Sequence, residues 1–341
     1  MKLSVIALPI KGIIRDLAKA LNVEVHDDNT ELTIEIPKNI GHGFIRGTNF
    51  KSGIGIVQYN CTFYEDFELH FSSEKTHPLK FIFCSEGSVH HSFANEREKQ
   101  EIDTFQNIIV SSHGNNGHVL YFTANQVANV SSLEIIREEF AKYITYDYSN
   151  LEPRLQQVLK DSESETQFLY HGNYSIKSAD IVEEIHNKNL SGFLRSIFLE
   201  SKTFEMLSRQ INQYQDDQND NQPQIMRRSD VEKVKKAVHI IKENLNQNFS
   251  VEHLAKEVGT NVNKLQENFK YMFDLTVNKY MQQVKLEAAK EMLSNSDHNI
   301  SQIVSQIGLN NRSYFSKIFK EKYGVSPNYY LNNKKILKKI A

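Results

Sequence analysis

Two short runs of hydrogen-bonding side chains stand out near the C-terminal end of the 341-residue chain. The first holds Asn263, Gln266, Glu267 and Lys270; the second holds Arg312, Ser313, Tyr314, Lys317 and Lys320. Asn and Gln amides pair bidentately with adenine, Glu accepts from the cytosine amino group, and Arg and Lys suit guanine or a phosphate. Asn263, Gln266, Glu267, Arg312, Ser313, Tyr314 and Lys317 are therefore the base-reading candidates. Asn261, Lys270, Asn311 and Lys320 are the phosphate candidates. Other chemistries find no support in the spacing. His70, His77, His90, His91, His113 and His118 follow no standard ligand pattern, so no metal site is expected. Gly53-Ile54-Gly55-Ile56 lacks the third glycine of a dinucleotide motif, so no such cofactor is expected. Cys61 and Cys84 read as small core residues in a reducing compartment. No Ser/His/Asp or Cys/His set assembles, and the chain is not expected to be an enzyme.

The two runs belong to an internal repeat. Val251, Leu254, Val258 and Gly259 match Ile300, Ile303, Ile307 and Gly308 at an offset of 49. After one inserted residue, Leu265, Phe269 and Lys270 match Phe315, Phe319 and Lys320 at an offset of 50. Each copy reads as a short helix, a turn through a glycine, and a second short helix. Ser250 and Asn299 stand where N-caps belong, with Gln302 completing a capping box, and Asn261 and Asn310 or Asn311 cap the second helices. This is helix-turn-helix grammar, at 250–272 and 299–323, joined by the amphipathic segment 277–293. Two recognition helices so tied can enter successive major grooves about 34 Å apart. Val262, Leu265 and Phe269 are expected to face inward on the first, Phe315 and Phe319 on the second.

The segment Ser313-Tyr314-Phe315, Phe319-Lys320, Gly324, Ser326-Pro327 and Tyr330, with Tyr280, Lys285, Leu286, Ala289 and Leu293 before it, resembles the DNA-binding domain of AraC/XylS transcriptional regulators over about 232–331. Leu309, Lys285 and Leu331 depart from the family's usual Phe, Arg and Arg. The resemblance implies base contacts at Asn263, Gln266, Glu267, Arg312, Ser313 and Lys317. A second resemblance covers the N-terminal part: Gly43-Phe44-Ile45-Arg46-Gly47, Gly53-Ile54, Pro78 to Phe83 with Gly87-Ser88, and Leu194 to Leu207 look like the sensor domain of pyochelin-type siderophore regulators. It implies an iron-uptake regulator answering a siderophore-like small molecule.

Charge and pattern divide the chain in the same place. Residues 229–341 carry 18 Lys and Arg against 11 Asp and Glu, leaving 22 against 31 in the remainder. A basic third on an acidic body points to a polyanion as partner of that third alone. Gln215 to Gln224, QDDQNDNQPQ, reads as a linker. The expected organisation is a sensor and dimerisation domain over 1–214, β-rich at 31–136 and helical at 137–214. A linker follows at 215–228, then the DNA-binding domain at 229–341. The fold class is α+β with an antiparallel sheet or small barrel, followed by an all-α tandem helix-turn-helix. Residues 9–22 read as a short amphipathic helix, and Gly41 to Gly43, Ser85 to Ser88 and His113 to Gly117 as turns between strands. Leu190, Phe193, Leu194, Ile197, Phe198, Ser201, Phe204, Leu207 and Ile211 trace one helical face, suited to the domain's own sheet or to a second copy, the latter being favoured. Lys334, Lys335, Lys338 and Lys339 form a tail for phosphates or solvent. No apolar run approaches the ~18 residues of a membrane span, and no signal peptide is read at the start, so a cytoplasmic protein is expected.

The sequence thus predicts a transcription regulator, an activator, that binds promoter DNA as a homodimer under a small-molecule effector and engages RNA polymerase. Two rivals stay open: a DNA-binding regulator whose N-terminal domain only dimerises, and a small-molecule-modifying enzyme with a helical interaction tail.

Overall fold

Several strands of this protein, among them 54–63, 107–111 and 127–135, bury both faces, and that decides how its N-terminal part is built. In a computed structural model the described residues are 1–6, 9–73, 76–114, 116–145, 147–174, 177–188, 190–218, 228–247, 249–296 and 298–332. Of the expected linker 215–228, residues 219–227 lie outside them, as does the lysine tail, whereas 215–218 end one helix and 228 begins the next rather than forming a linker. The chain divides into two compact units, Met1–Ile225 and Met226–Ala341.

The first unit opens with β1 (Lys2–Ile6) and helix α1 (Ile10–Leu21). Then come β2 (His26–Asp27), β3 (Leu32–Glu35), β4 (Gly41–Asn49), β5 (Ile54–Phe63), β6 (Phe67–Ser72), β7 (Leu79–Phe93), β8 (Gln100–Asp103), β9 (Asn107–Ser111), β10 (His118–Phe122) and β11 (Val127–Ile135). Helices α2 (Arg137–Tyr143) and α3 (Pro153–Lys160), strand β12 (Phe168–His171), and helices α4 (Lys177–Asn187) and α5 (Gly192–Gln218) complete it. The strands form one sheet in the order β1-β6-β10-β7-β11-β5-β4-β3-β2, with β8 and β9 also on β7 and β12 on β9. Only the β1/β6 pairing is parallel among these.

Two features correct the expected turns. Ser85 to Ser88 lies inside β7, which pairs with β11 and β9 through its first half and with β8 and β10 through its second. Gly87 makes the change of partner possible: its φ is +74°, and a Cβ there would lie 1.6 Å from the Val127 carbonyl oxygen. Gly41 to Gly43 starts β4 rather than a turn. At Gly43, φ +106°, a Cβ would lie 2.1 Å from the Asn60 oxygen across the pair.

One face of the sheet packs on α1, whose Ile10, Ile13, Ile14 and Leu17 join Leu32, Ile45, Tyr59, Leu69, Ile82 and Leu120 in an inner core. The other face carries Ile56, Phe81, Phe83, Leu133 and Ile135 against Leu155 of α3, Ile181 of α4 and Leu199 and Met206 of α5. Burial on both faces explains runs such as Phe81-Ile82-Phe83-Cys84, which show no alternation. The expected helical region 137–214 also contributes β12 to the sheet, and the β-rich part begins with β1 rather than at residue 31.

Helix α5 buries Arg195, Leu199, Thr203, Met206, Leu207, Gln210 and Tyr214; of the expected face, Leu207 is among them and Phe198, Phe204 and Ile211 pack partly buried on the same core. Each of the buried polar residues makes at least one hydrogen bond inside, although the Gln210 amide nitrogen has no partner among the described residues. Arg195 donates to Glu31 at 2.8 Å, the Thr203 hydroxyl to the Leu199 carbonyl at 2.8 Å, and Asn107 to Gln210 at 3.2 Å. Phe193, Leu194 and Ile197 are left 77%, 64% and 50% exposed.

The second unit is all helix: α6 (Arg228–Glu243), α7 (Val251–Glu257), α8 (Val262–Phe273), α9 (Val277–Asn295), α10 (Ile300–Gln306) and α11 (Arg312–Tyr323).

Candidate nucleic-acid interface

Side-chain caps set where each helix of the repeat begins. Ser250 accepts from the His253 N–H at 3.2 Å and starts α7. Asn261 accepts from the Lys264 N–H at 2.8 Å and starts α8. In the second copy Asn299 and Gln302 form a reciprocal capping box at 3.0 and 2.8 Å and start α10. Asn311 accepts from the Tyr314 N–H at 2.9 Å and starts α11. Each cap contributes about 1 kcal/mol. Gly259 and Gly308, at φ +70° and +66°, provide the left-handed residue after α7 and α10.

One helix holds both copies. Leu265 and Phe269 of α8 and Phe315 and Phe319 of α11 are fully buried, at the predicted offset of 50. The first half of α9 buries Val277, Tyr280 and Val284, with the Tyr280 ring 5.4 Å from that of Phe269. Its second half gives Leu286, Ala289 and Leu293 to the core of Phe315 and Phe319, on which Leu309 and Leu331 also pack. Lys285, in mid-helix, is buried, which pushes its ammonium down from the usual lysine range, and it donates to the Gln247 carbonyl at 3.1 Å. The turn of the second copy is clamped too: a Cβ on Gly308 would lie 2.4 Å from the Asn246 carbonyl oxygen, whereas one on Gly259 would meet nothing within 4 Å.

What this scaffold presents outward is a matched pair of polar stripes. Asn263, Glu267 and Lys270 are exposed along α8 at helical spacings of four and three. Ser313, Lys317 and Lys320 are exposed along α11 at the same spacings and the same offset of 50. Arg312 and Tyr314 are exposed in the first turn of α11. Gln266 does not join its stripe; it is half-buried and accepts from the Val277 N–H at 3.1 Å, holding the start of α9. Asn261 and Asn311 are exposed, but their side-chain oxygens are engaged in capping. Val262, expected inward, is half-buried. Two neighbours were not read from sequence. Lys264 is exposed and occupies the position equivalent to Tyr314, a match the offset of 50 carries; its Nζ lies 3.3 Å from Asp230 of α6. Gln282 of α9 donates to the Tyr314 hydroxyl at 2.9 Å, tying α9 to α11. No sequence signal points to Gln282, because the contact depends on how α9 crosses α11. Among the described residues no group of three His, Cys, Asp or Glu is arranged to hold a metal ion, and no helix is long and apolar enough to cross a membrane.

Comparison with known proteins fits both units. Residues 40–226, more than half of the chain, match the family described as the regulatory protein PchR N-terminal domain. Residues 254–333 match a helix-turn-helix domain. The chain belongs to the AraC-type transcriptional regulators with a PchR N-terminal domain. Among its relatives it is 34% identical over 104 residues to Histidine kinase P4 of Formosa agariphila, spanning 30% of this chain and 8% of that one. It is 30% identical over 98 residues to the regulatory protein PocR of Salmonella typhimurium, or 29% and 32% of the two chains. With the transcriptional activator PerA of Escherichia coli O127:H6 it shares 40% over 57 residues, or 17% and 21%. The chain therefore spans a third or less of the length of each of these relatives. This regulator has two parts, a sheet-rich unit that carries the PchR-type match and a helical one that carries the helix-turn-helix match.

Proposed function

We propose that this regulator activates transcription by reading two successive major grooves of a promoter through α8 and α11. The observation that carries the reading is the pair of exposed stripes, Asn263/Glu267/Lys270 and Ser313/Lys317/Lys320, on helices that a single helix, α9, packs together. On α8, Asn263 and Glu267 take base edges; on α11, Arg312, Ser313, Tyr314 and Lys317 do so. Gln266 keeps only its amide N–H groups for a base once its oxygen holds α9. Lys270, Lys320 and the free amide hydrogens of Asn261 and Asn311 take phosphates. Lys264 joins them at the first groove. PerA, which shares this kind of segment, is named a transcriptional activator, and activation here means contact with RNA polymerase in the cytoplasm.

The sheet-rich unit senses a small molecule, in keeping with its PchR-type family; a siderophore-like effector is the specific expectation. The exposed Phe193, Leu194 and Ile197 on α5 suit pairing with a second copy. Binding-site selection on random duplex DNA with the full chain, at two salt concentrations, tests the reading. Two enriched blocks about one helical turn apart support it. Salt-sensitive binding without enrichment overturns it.

A further inference from the structure

The inner face of the sheet carries a polar cluster that DNA reading does not use. Lys80 on β7 pairs directly across from Glu134 on β11, and its Nζ lies 2.5 Å from the Glu134 Oε1 with both side chains buried. His118 on β10 sits between Phe71 of β6 and Phe93 of β7. His91 lies two residues before Phe93 on the same face, and His77 just before β7. The three imidazoles are at most 2% exposed. The His118 ring centre is 5.4 Å from that of His91 and 6.3 Å from that of His77. It stacks on Phe71 at 4.5 Å, and the Lys80 ammonium lies 4.0 Å from the centre of the same Phe71 ring. None of the six imidazole nitrogens has a hydrogen-bond partner among the described residues, nor has the buried Tyr59 hydroxyl.

Native proteins leave few buried polar groups unpaired, and such groups point to something bound beside them. Charge selects what that is. Arg137, also buried, gives its donors to neutral oxygens: Ser111 Oγ at 2.9 Å, Val158 O at 3.2 Å, His77 O at 3.0 Å and Ser164 Oγ. Asp161 acts on it through space. Two buried cations, Lys80 and Arg137, thus stand against one buried carboxylate, Glu134, around three imidazoles able to donate. That balance, with the Lys80 ammonium among the rings, disfavours a metal ion and favours an anion.

We infer that this cluster is the effector site of the sheet-rich unit and takes the carboxylate of a small organic acid, with Lys80 supplying charge and His77, His91 and His118 supplying N–H donors. The inference rests on the reading of this unit as effector-binding. The incoming carboxylate shares Lys80 with Glu134 and gives the imidazole N–H groups the partners they lack.

The test is ¹⁵N-histidine NMR of the full chain in carboxylate-free buffer, with the three signals assigned through His77→Gln, His91→Gln and His118→Gln. Benzoate is the probe, since it puts one carboxylate on a flat ring suited to a face lined by Phe71 and Phe93. Benzamide is its uncharged counterpart. Saturable movement of the three signals with benzoate and not with benzamide is the expected result. Because Lys80→Met alone strands the Glu134 carboxylate, the variant compared is Lys80→Met with Glu134→Gln, where the affinity for benzoate drops at least tenfold. Equal responses to benzoate and benzamide overturn the proposal, as do silent signals with benzoate or saturable movement with Zn²⁺ in its place. An enriched DNA motif together with silent histidines defeats this site and leaves DNA reading standing. Responsive histidines with no enriched motif defeat DNA reading instead.

Discussion

Lowering the pH from 7.5 to 5 is expected to destabilise the sheet-rich unit strongly, and His77, His91 and His118 are the main reason. Burial, reinforced by the nearby Lys80 ammonium, pushes the His77 imidazole down to about 4 and that of His91 down to about 3. The same causes push His118 well below the usual histidine range. The unfolded chain, with ordinary histidines near 6.5, binds protons that the folded unit refuses. The stability is therefore fully present above pH 6.5 and is lost as the pH falls from there toward the folded values. At pH 5 the gap of roughly 1.5 units, at about 1.4 kcal/mol per unit, removes ~2 kcal/mol for each of His77 and His91. These two rings together remove ~4 kcal/mol and His118 adds to the loss, a large part of the roughly 5–15 kcal/mol by which a domain is stable. Calorimetry of the full chain in a carboxylate-free buffer follows the loss, and His91→Leu isolates one ring. That variant should lose about 2 kcal/mol less than the parent chain between pH 7.5 and 5. A His91→Leu chain with the parent's pH dependence, or a parent chain whose stability does not fall between pH 7.5 and 5, would refute the argument that these rings are buried and uncharged.

Three further outcomes follow from the geometry. Gly259→Ala meets only the penalty of a left-handed backbone, about 1 kcal/mol, while Gly308→Ala also collides with the Asn246 carbonyl and should cost clearly more; equal shifts in the thermal midpoint of the helical unit would contradict the clamp. Arg312→Ala should relax preference at one base pair by ~1–3 kcal/mol, whereas Lys320→Ala should weaken binding to all sequences alike and reduce the salt slope by about 1; selection and salt titration separate the two. Ile197→Glu, on the exposed stripe of α5, should leave the thermal midpoint within about 0.5 kcal/mol of the parent while shifting sedimentation toward the monomer, and an unchanged sedimentation profile would place any pairing surface elsewhere.

The helical unit was legible because its architecture is local. Caps such as Asn299 with Gln302, glycines after the first helices, and the inward pair Leu265/Phe269 repeated as Phe315/Phe319 all act within a few residues, so the sequence carries them directly. Reading failed within that unit where a side chain answers a distant backbone. Gln266 has the chemistry to read adenine, yet its oxygen serves the Val277 N–H eleven residues on. Nothing in the spacing of α8 announces where α9 will start in space.

The sheet-rich unit was harder to read, and one physical cause accounts for its misreadings and for its unassigned chemistry. Hydrophobic periodicity locates a buried face only when buried residues are apolar. Here Arg195, Thr203 and Gln210 turn inward on α5, where Glu31, the Leu199 carbonyl and the Asn107 amide give each of them a hydrogen bond, and Phe193, Leu194 and Ile197 of the apolar stripe are left at the surface. On the sheet, Lys80, Glu134, His91 and His118 occupy positions that pattern alone would give to aliphatic residues, and His77 is buried just before it. On α5 the inverted groups each find a hydrogen bond within the chain, although the Gln210 amide nitrogen keeps none. Around His118 none of the six ring nitrogens of His77, His91 and His118 has a partner among the described residues, and that concentration of unpaired groups in one place is the departure from pattern that the proposed effector site accounts for.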